Sequence, residues 1–173
     1  MRRIELRSLL PALALVGHLN HSWHPDLDVL MRILIINPNI SSATNARIQA
    51  IAGALIEAPD EVEVVSAPSG IELIETVEKS AATVPAVLSV VGERHKMADA
   101  IIIAAFSDPG LAEARKVASC PMFGISEAAM KTAVGVAERF AIITLGSELG
   151  DAIKTNAKIY GVAKNLTEVQ ILP

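Results

Sequence analysis

The sequence predicts an α/β protein in which parallel strands form a sheet with helices on both faces. From residue 31 to the end, short runs of aliphatic residues alternate with longer segments whose apolar residues recur every three or four positions. Hydrophobic residues make up 51% of the 173 residues, so a core of useful size is available. Only 3% are aromatic, and the core therefore has to be built from Ala, Val, Ile and Leu.

The first three predicted elements are a strand, a helix and a strand. The strand at 32–36 is an uninterrupted apolar run, which is typical of a buried parallel strand, and the turn at 37–39 ends it. Ser41 then offers a helix N-cap, and apolar residues at helical spacing continue towards Pro59. The second strand is predicted at 62–66.

The later elements continue the alternation. A helix is predicted at 84–97 with Pro85 in its first turn, where the missing N–H is tolerated. The strongest strand pattern in the chain lies at 100–106 and ends at the turn 107–110. The remaining predictions, in order, are a helix at 111–117, a strand at 122–125, a helix at 126–138, a strand at 140–145, a helix at 147–160 and a strand at 169–172.

Composition excludes several classes of partner and cofactor. The net charge is −4 and no basic stripe is present, so no nucleic-acid partner is expected. The single cysteine, Cys120, excludes a disulfide framework and every multi-cysteine zinc motif. No apolar run approaches the ~20 residues that span a bilayer, so no membrane partner and a cytoplasmic location are predicted. The glycine-rich motifs of dinucleotide sites, P-loops and α/β-hydrolases are also absent.

Residues 1–30 differ in amino-acid composition from the rest of the chain. A basic start and a short apolar run resemble a signal peptide, but Glu5 and Pro11 interrupt the run and no clear cleavage site follows. The spacing of His18, His21 and His24 could place three ligands on one helix face, although structural zinc usually needs four. We expect an N-terminal extension that is poorly ordered or non-native, with the native start at Met31.

Three polar turns are expected to meet at one edge of the sheet. The turns at 37–42, 107–110 and 124–127 each follow a predicted strand, and ligands of parallel sheets bind at the carboxyl ends of the strands. A helix N-terminus at this edge favours a small anion such as a carboxylate. The alternative stays open that Ser41 and Asp108 simply cap the helices that follow them, and that Glu127 is favoured by the helix dipole whatever the function.

Four segments resemble one known family in order and spacing. Residues 31–39 are similar to the opening of the hydantoin racemase branch of the Asp/Glu racemase superfamily. Residues 104–111 resemble that family's Ala-Cys-Phe-Gly-Asp-Pro-Gly-Leu, and residues 124–130 resemble its Gly-Ile-Ala-Glu-Ala-Ala-Met. Residues 139–144 resemble the strand that ends in its threonine pair. The resemblance covers residues 31–173.

The resemblance implies a fold of two similar α/β halves with the active site between them. We expect a first half at 31–98 and a second at 99–173. The implied activity is racemisation of amino acids or their hydantoin derivatives without a cofactor, by proton transfer at the carbon next to a carbonyl. One cysteine thiolate removes the proton, and a second thiol on the opposite face returns one.

This chain departs from the family pattern at both cysteines. Ala105 occupies the position of the first, and a methyl group cannot accept or deliver a proton. The second belongs to a segment beyond Pro173, so the resemblance implies a second half that is truncated. A racemase-family protein that is inactive or impaired is therefore expected. The alternatives are a non-catalytic relic that binds small carboxylates and an unstable fragment of a disrupted gene.

The predicted site contains no confirmed catalytic residue and no metal ligand. The substrate-binding candidates are Asn37, Asn39, Ser41, Ser107, Asp108, Glu127 and Thr144. Cys120, at the opposite edge of the sheet, is expected to be a small buried hydrophobe, and His95 to face solvent. A replacement acid–base pair formed by Asp108 and Glu127 is an open alternative. The expected partner is a small amino-acid or hydantoin-type molecule, and a homo-oligomer is possible.

Overall fold

A computed structural model describes residues 30–145 and 148–172 of the chain. Its main feature is a sheet of four parallel strands in the order β2-β1-β3-β4. These strands are β1 (Arg32–Asn37), β2 (Glu61–Ser66), β3 (Ala100–Ile103) and β4 (Met122–Gly124). The predicted α/β class with a parallel sheet is confirmed. The expected extension lies, except for Leu30, outside the described residues, and so do its three histidines and the segment that resembles a signal peptide.

Five helices connect the strands of the described residues. They are α1 (Ser42–Leu55), α2 (Val77–Arg94), α3 (Leu111–Val117), α4 (Ile125–Val136) and α5 (Leu149–Ile159). None of these helices is long and apolar enough to cross a membrane.

A second, smaller sheet consists of two parallel strands, β5 (Phe140–Leu145) and β6 (Leu166–Leu172). The division between the sheets does not coincide with the expected boundary between residues 98 and 99. β3 pairs with β1, so the first sheet continues across that boundary and ends with β4.

Apolar side chains cover both faces of the four-stranded sheet. One face packs against α2 and α3 through a cluster that includes Ile36, Val87 and Ile101. The other face packs against α1 around Ile33, Ile35 and Ala52. A third cluster lies between the smaller sheet and its helices, at Met130, Ile153, Ala157 and Val162. Burial on both faces explains why β1 and β3 are continuous apolar runs.

The structure corrects the predicted start of the second helix. α2 begins at Val77 rather than residue 84, because Thr76 caps it by accepting a hydrogen bond from the Lys79 N–H. Pro85 therefore lies inside the helix and not in its first turn. Pro85 is exposed, so water can hydrogen-bond to the helix carbonyl oxygen that receives no N–H from the proline.

The structure also shortens the strand predicted at 100–106. β3 ends at Ile103, since Ala104 makes one more hydrogen bond to Ile36 and the chain then turns. The turn is closed by the Asp108 N–H, which donates to the Ala105 carbonyl oxygen at 2.9 Å. The other element boundaries agree within a few residues with those predicted.

Candidate functional site

The three polar turns meet at the carboxyl edge of the four-stranded sheet, as predicted. Ile36 of β1 is in register with Ile103 of β3, and Ile103 is in register with Gly124 of β4. The loops that follow these three strands are therefore neighbours. We refer to this region as the carboxyl-edge site.

In the β1–α1 loop, the side-chain oxygens are used to shape the backbone. The Asn37 Oδ1 atom accepts a hydrogen bond from the Asn39 N–H at 3.3 Å, and the Asn39 Oδ1 atom accepts one from the Ser41 N–H at 2.9 Å. The Ser41 hydroxyl caps α1 by accepting from the Thr44 N–H. Among the described residues, no hydrogen bond uses the amide nitrogen of Asn39. Ser41 thus acts as a helix cap, and Asn39 keeps a side-chain donor for another partner.

Asp108 joins three elements through one buried carboxylate. Its two oxygens accept hydrogen bonds from the backbone N–H groups of Ser126 and Glu127, at 3.0 and 2.8 Å. One of them also accepts from the Tyr160 hydroxyl at 2.7 Å. Asp108 therefore caps α4 and not the helix that follows it in sequence. α3 begins after Gly110 without a side-chain cap.

Gly124 makes room for this carboxylate. A Cβ atom on Gly124 would lie 2.3 Å from the Cγ atom of Asp108, well inside van der Waals contact. Asp108 itself has a φ of 46°, in the left-handed region that few non-glycine residues adopt. Both features indicate that the position of the Asp108 carboxylate is tightly fixed.

Burial and hydrogen bonding oppose each other at Asp108. Burial raises the pKa of Asp108 above its usual range, while the Tyr160 hydroxyl and the two backbone N–H groups offset part of that rise. Burial and the hydrogen bond to Asp108 also raise the pKa of Tyr160, so this phenol stays protonated and donates.

Glu127 lies beside the Asp108 carboxylate and is held by two cations. Its carboxylate accepts from Arg115 of α3 at 2.5 Å and from Lys131, one turn further along α4, at 2.7 Å. Burial alone would raise the pKa of Glu127, but the hydrogen bonds from Lys131 and Arg115 outweigh it and lower the pKa. Arg115 also donates to the Met122 carbonyl oxygen, which joins α3 to β4.

Ser107 lies at the tip of the β3–α3 turn. The Ser80 hydroxyl of α2 donates to the Ser107 hydroxyl at 2.7 Å. The Asn156 side chain of α5 donates to the Ser107 carbonyl oxygen at 3.2 Å. Side chains of two helices, α2 and α5, thus hydrogen-bond to Ser107.

Ala105 lies in the same turn. Its carbonyl oxygen accepts the hydrogen bond from the Asp108 N–H, and its methyl group offers no proton. Thr144 lies near the end of β5 in the smaller sheet, and its hydroxyl donates to the Leu145 carbonyl oxygen. Among the described residues, no hydrogen bond joins Thr144 to the other site candidates.

Cys120 and His95 lie at the opposite edge of the sheet. Cys120 precedes β4 and packs against the first core cluster, and burial raises the pKa of its thiol. His95 ends α2 and contacts the exposed Ser119 hydroxyl at 2.9 Å. In residues 30–145 and 148–172, no group of three His, Cys, Asp or Glu side chains could hold a metal ion.

Sequence reasoning missed five side chains that shape this site: Ser80, Arg115, Lys131, Asn156 and Tyr160. Only the contact of Lys131 could have been predicted from local sequence, because Lys131 lies four residues after Glu127 on the same predicted helix. The others come from elements distant in sequence, and only the tertiary fold brings them to the turn.

Comparison with known proteins agrees with this architecture. Residues 33–173 match the family profile described as Asp/Glu/Hydantoin racemase. The chain belongs to this family. It is 33% identical over 146 residues to a hydantoin racemase of Rhizobium meliloti, covering 82% of this chain and 59% of that protein. It is 29% identical over 145 residues to a hydantoin racemase of Pseudomonas sp. (strain NS671), covering 83% of this chain and 58% of that protein.

Solved structures show the same fold. An allantoin racemase from Klebsiella pneumoniae superposes with a TM-score of 0.78 at 34% identity, covering 82% of this chain and 58% of the other. An allantoin racemase from Pseudomonas fluorescens, at 24% identity, superposes with a TM-score of 0.77 and covers 82% and 60%. The chain thus spans about three fifths of the length of the relatives it matches.

Proposed function

We propose that this racemase-family chain binds an amino acid or a hydantoin derivative at the carboxyl-edge site and that its racemisation is impaired. The observation that carries the proposal is the β3–α3 turn, where Ser107 offers a hydroxyl and Ala105 stands at the position that the resemblance gives to the family's first cysteine. The binding function is retained in this account, while the proton-transfer function is weakened or lost.

The available donors favour a ligand that carries oxygen acceptors. The amide nitrogen of Asn39 and the hydroxyl of Ser107 lie on neighbouring loops of β1 and β3. A carboxylate or a ring carbonyl can accept hydrogen bonds from both groups. The relatives are hydantoin and allantoin racemases, whose names point to compact ligands that are rich in carbonyl groups.

Asp108 and Glu127 do not offer a replacement acid–base pair. Inversion at an α-carbon needs a base on one face and an acid on the other, each with a pKa near the working pH. The Asp108 carboxylate already accepts hydrogen bonds from the α4 N-terminus and from Tyr160. The Glu127 carboxylate is already paired with Arg115 and Lys131. A binding protein without efficient turnover is therefore favoured over an active racemase.

Location and assembly remain part of the proposal. We place the protein in the cytoplasm, with no cofactor required for binding. A homo-oligomer is supported by the outer face of the smaller sheet, where Ile143 and Leu145 are 64% and 68% exposed. Parallel sheets are usually covered on both faces. Light scattering on the purified chain tests the assembly.

Titration calorimetry with an enantiopure 5-substituted hydantoin and with the matching amino acid tests the binding site. We expect one of the two ligands to bind the wild-type chain and Ser107→Ala to weaken its affinity about 2- to 10-fold, the cost of one hydrogen bond. Ser89→Ala is the matched control, because Ser89 is an exposed serine of α2 that contacts Glu93. Binding by neither ligand, or equal affinity of the two variants, would contradict the proposal.

A further inference from the structure

Ser80 is a buried polar residue of α2 whose hydroxyl meets the carboxyl-edge site. It lies one turn into α2 and is only 8% exposed. Its hydroxyl contacts the Ser107 hydroxyl at 2.7 Å across 27 residues of sequence, so α2 reaches directly into the carboxyl-edge site.

The burial of Ser80 fixes the direction of this hydrogen bond. A buried hydroxyl hydrogen needs an acceptor, and the Ser107 oxygen is the one that Ser80 contacts. Thr83, the polar neighbour on the same helix, donates its hydroxyl hydrogen to the Ser80 carbonyl oxygen and not to the Ser80 hydroxyl. Ser80 therefore donates, and the hydrogen of Ser107 stays available for another partner.

The backbone of Ser107 is fixed independently of its side chain. The Asn156 side chain of α5 donates to the Ser107 carbonyl oxygen at 3.2 Å, and the Asp108 N–H closes the turn on Ala105. Only the rotation of the Ser107 hydroxyl remains to be set, and the bond from Ser80 sets it. A hydroxyl that accepts a hydrogen bond is also a stronger donor.

We infer that Ser80 is a positioning residue that directs the Ser107 hydroxyl towards an oxygen acceptor of the ligand. The acceptor is a carbonyl oxygen of a hydantoin ring or a carboxylate oxygen of an amino acid, which share the same hydrogen-bond chemistry. This inference rests on the proposed function, since it assigns to Ser80 the orientation of a donor of that site.

The test compares ligand affinity in Ser80→Ala, Ser107→Ala and the double variant by calorimetry, with the hydantoin and the amino acid as separate arms. For the arm that binds, we expect Ser80→Ala to raise Kd about 2- to 10-fold. In the Ser107→Ala background the same change should have no further effect, because the two hydroxyls act as one unit. Ser89→Ala should leave Kd unchanged.

A second pair of variants separates positioning from folding. Ser80→Thr keeps the hydroxyl and Ser80→Val replaces it with a methyl group in nearly the same shape. We expect Thr to bind as the wild-type chain does and Val to bind as Ser80→Ala does, with similar melting temperatures.

Different results would overturn the role of Ser80 and the proposed function. If the wild-type chain binds and the Ser80 variants bind equally well, or their effects add to that of Ser107→Ala, the inference is overturned and the proposed function stands. If the wild-type chain binds neither ligand, both are overturned.

Discussion

At the scale of single residues, the site depends on where one carboxylate lies. Asp108 accepts three hydrogen bonds while buried, and Gly124 leaves the space that its oxygens occupy. A sequence pattern could suggest that Asp108 caps a helix, but it pointed to α3, the next helix along the chain. The choice of α4 depends on the pairing of β3 with β4, which no local pattern contains.

Gly124→Ala tests this close approach. The added methyl group would overlap the Asp108 carboxylate, so the hydrogen bonds to Ser126, Glu127 and Tyr160 have to break or lengthen. We expect the free energy of unfolding to fall by about 2–4 kcal/mol in urea titrations. Gly135→Ala is the matched control, because Gly135 lies in α4 with nothing within 4 Å of an added Cβ, and it should stabilise by up to ~1 kcal/mol. Equal effects of the two changes would contradict the account.

Tyr160→Phe tests the electrostatics of the same carboxylate. Because the folded-state pKa of Asp108 is raised, its contribution to stability is complete below its unfolded value of 3.8 and falls as the pH rises through the folded pKa. The Tyr160 hydroxyl limits that fall by stabilising the ionised form. We expect the variant to lose about 1–2 kcal/mol near neutral pH and less at acidic pH, measured by urea unfolding at both. A loss that is the same at both values would show that Tyr160 does not act through the Asp108 charge.

At the scale of elements, the site is held together by links between helices that are far apart in sequence. α3 and α4 meet through Arg115 and Glu127, and α2 and α5 both reach Ser107 through Ser80 and Asn156. Helix boundaries were predicted well where apolar spacing was clear, as for α3. The start of α2 was predicted poorly. Proline is common in the first turn of helices, whereas Pro85 lies on an exposed face inside α2.

Glu127→Gln tests the link between α3 and α4. Since the folded-state pKa of Glu127 is lowered, its ion pairs stabilise the fold above its unfolded value of 4.5 and are lost as the pH falls through the folded pKa. We expect the variant to lose about 1–2 kcal/mol near neutral pH and to show a weaker decline of stability on acidification than the wild-type chain. Glu113→Gln, at an exposed position of α3, is the control and should change neither. A decline of stability on acidification that is as steep in Glu127→Gln as in the wild-type chain would contradict the assigned role.

At the scale of the whole molecule, the alternation of strands and helices was sufficient to predict the fold class and the edge where the polar turns meet. Parallel strands bring the ends of β1, β3 and β4 together by geometry alone, so Asn37, Asp108 and Glu127 were expected near one another. The division into two sheets after β4 was not predicted. Strand order depends on side-chain packing between distant segments, and the apolar runs of β3 and β5 are too similar to decide it.

Ala105→Cys tests whether one thiol is sufficient for racemisation. Inversion needs proton donors and acceptors on both faces of the α-carbon, and the only cysteine of this chain, Cys120, lies at the opposite edge of the sheet. We expect no racemisation of an enantiopure hydantoin above the protein-free rate, followed by polarimetry, with Ala105→Ser as the control without a thiol. Racemisation by the cysteine variant would mean that another group of this chain supplies the second face.

Binding and proton exchange can be followed together by NMR. The wild-type chain is incubated in deuterated buffer with an enantiopure 5-substituted hydantoin and, in a separate sample, with the matching amino acid. Proton NMR follows saturation transfer to each ligand and the intensity of its α-proton. Our expectation for the ligand that binds is saturation transfer, which reports binding, together with loss of the α-proton at the protein-free rate. Faster loss accompanied by inversion would contradict it and would identify this chain as a working racemase.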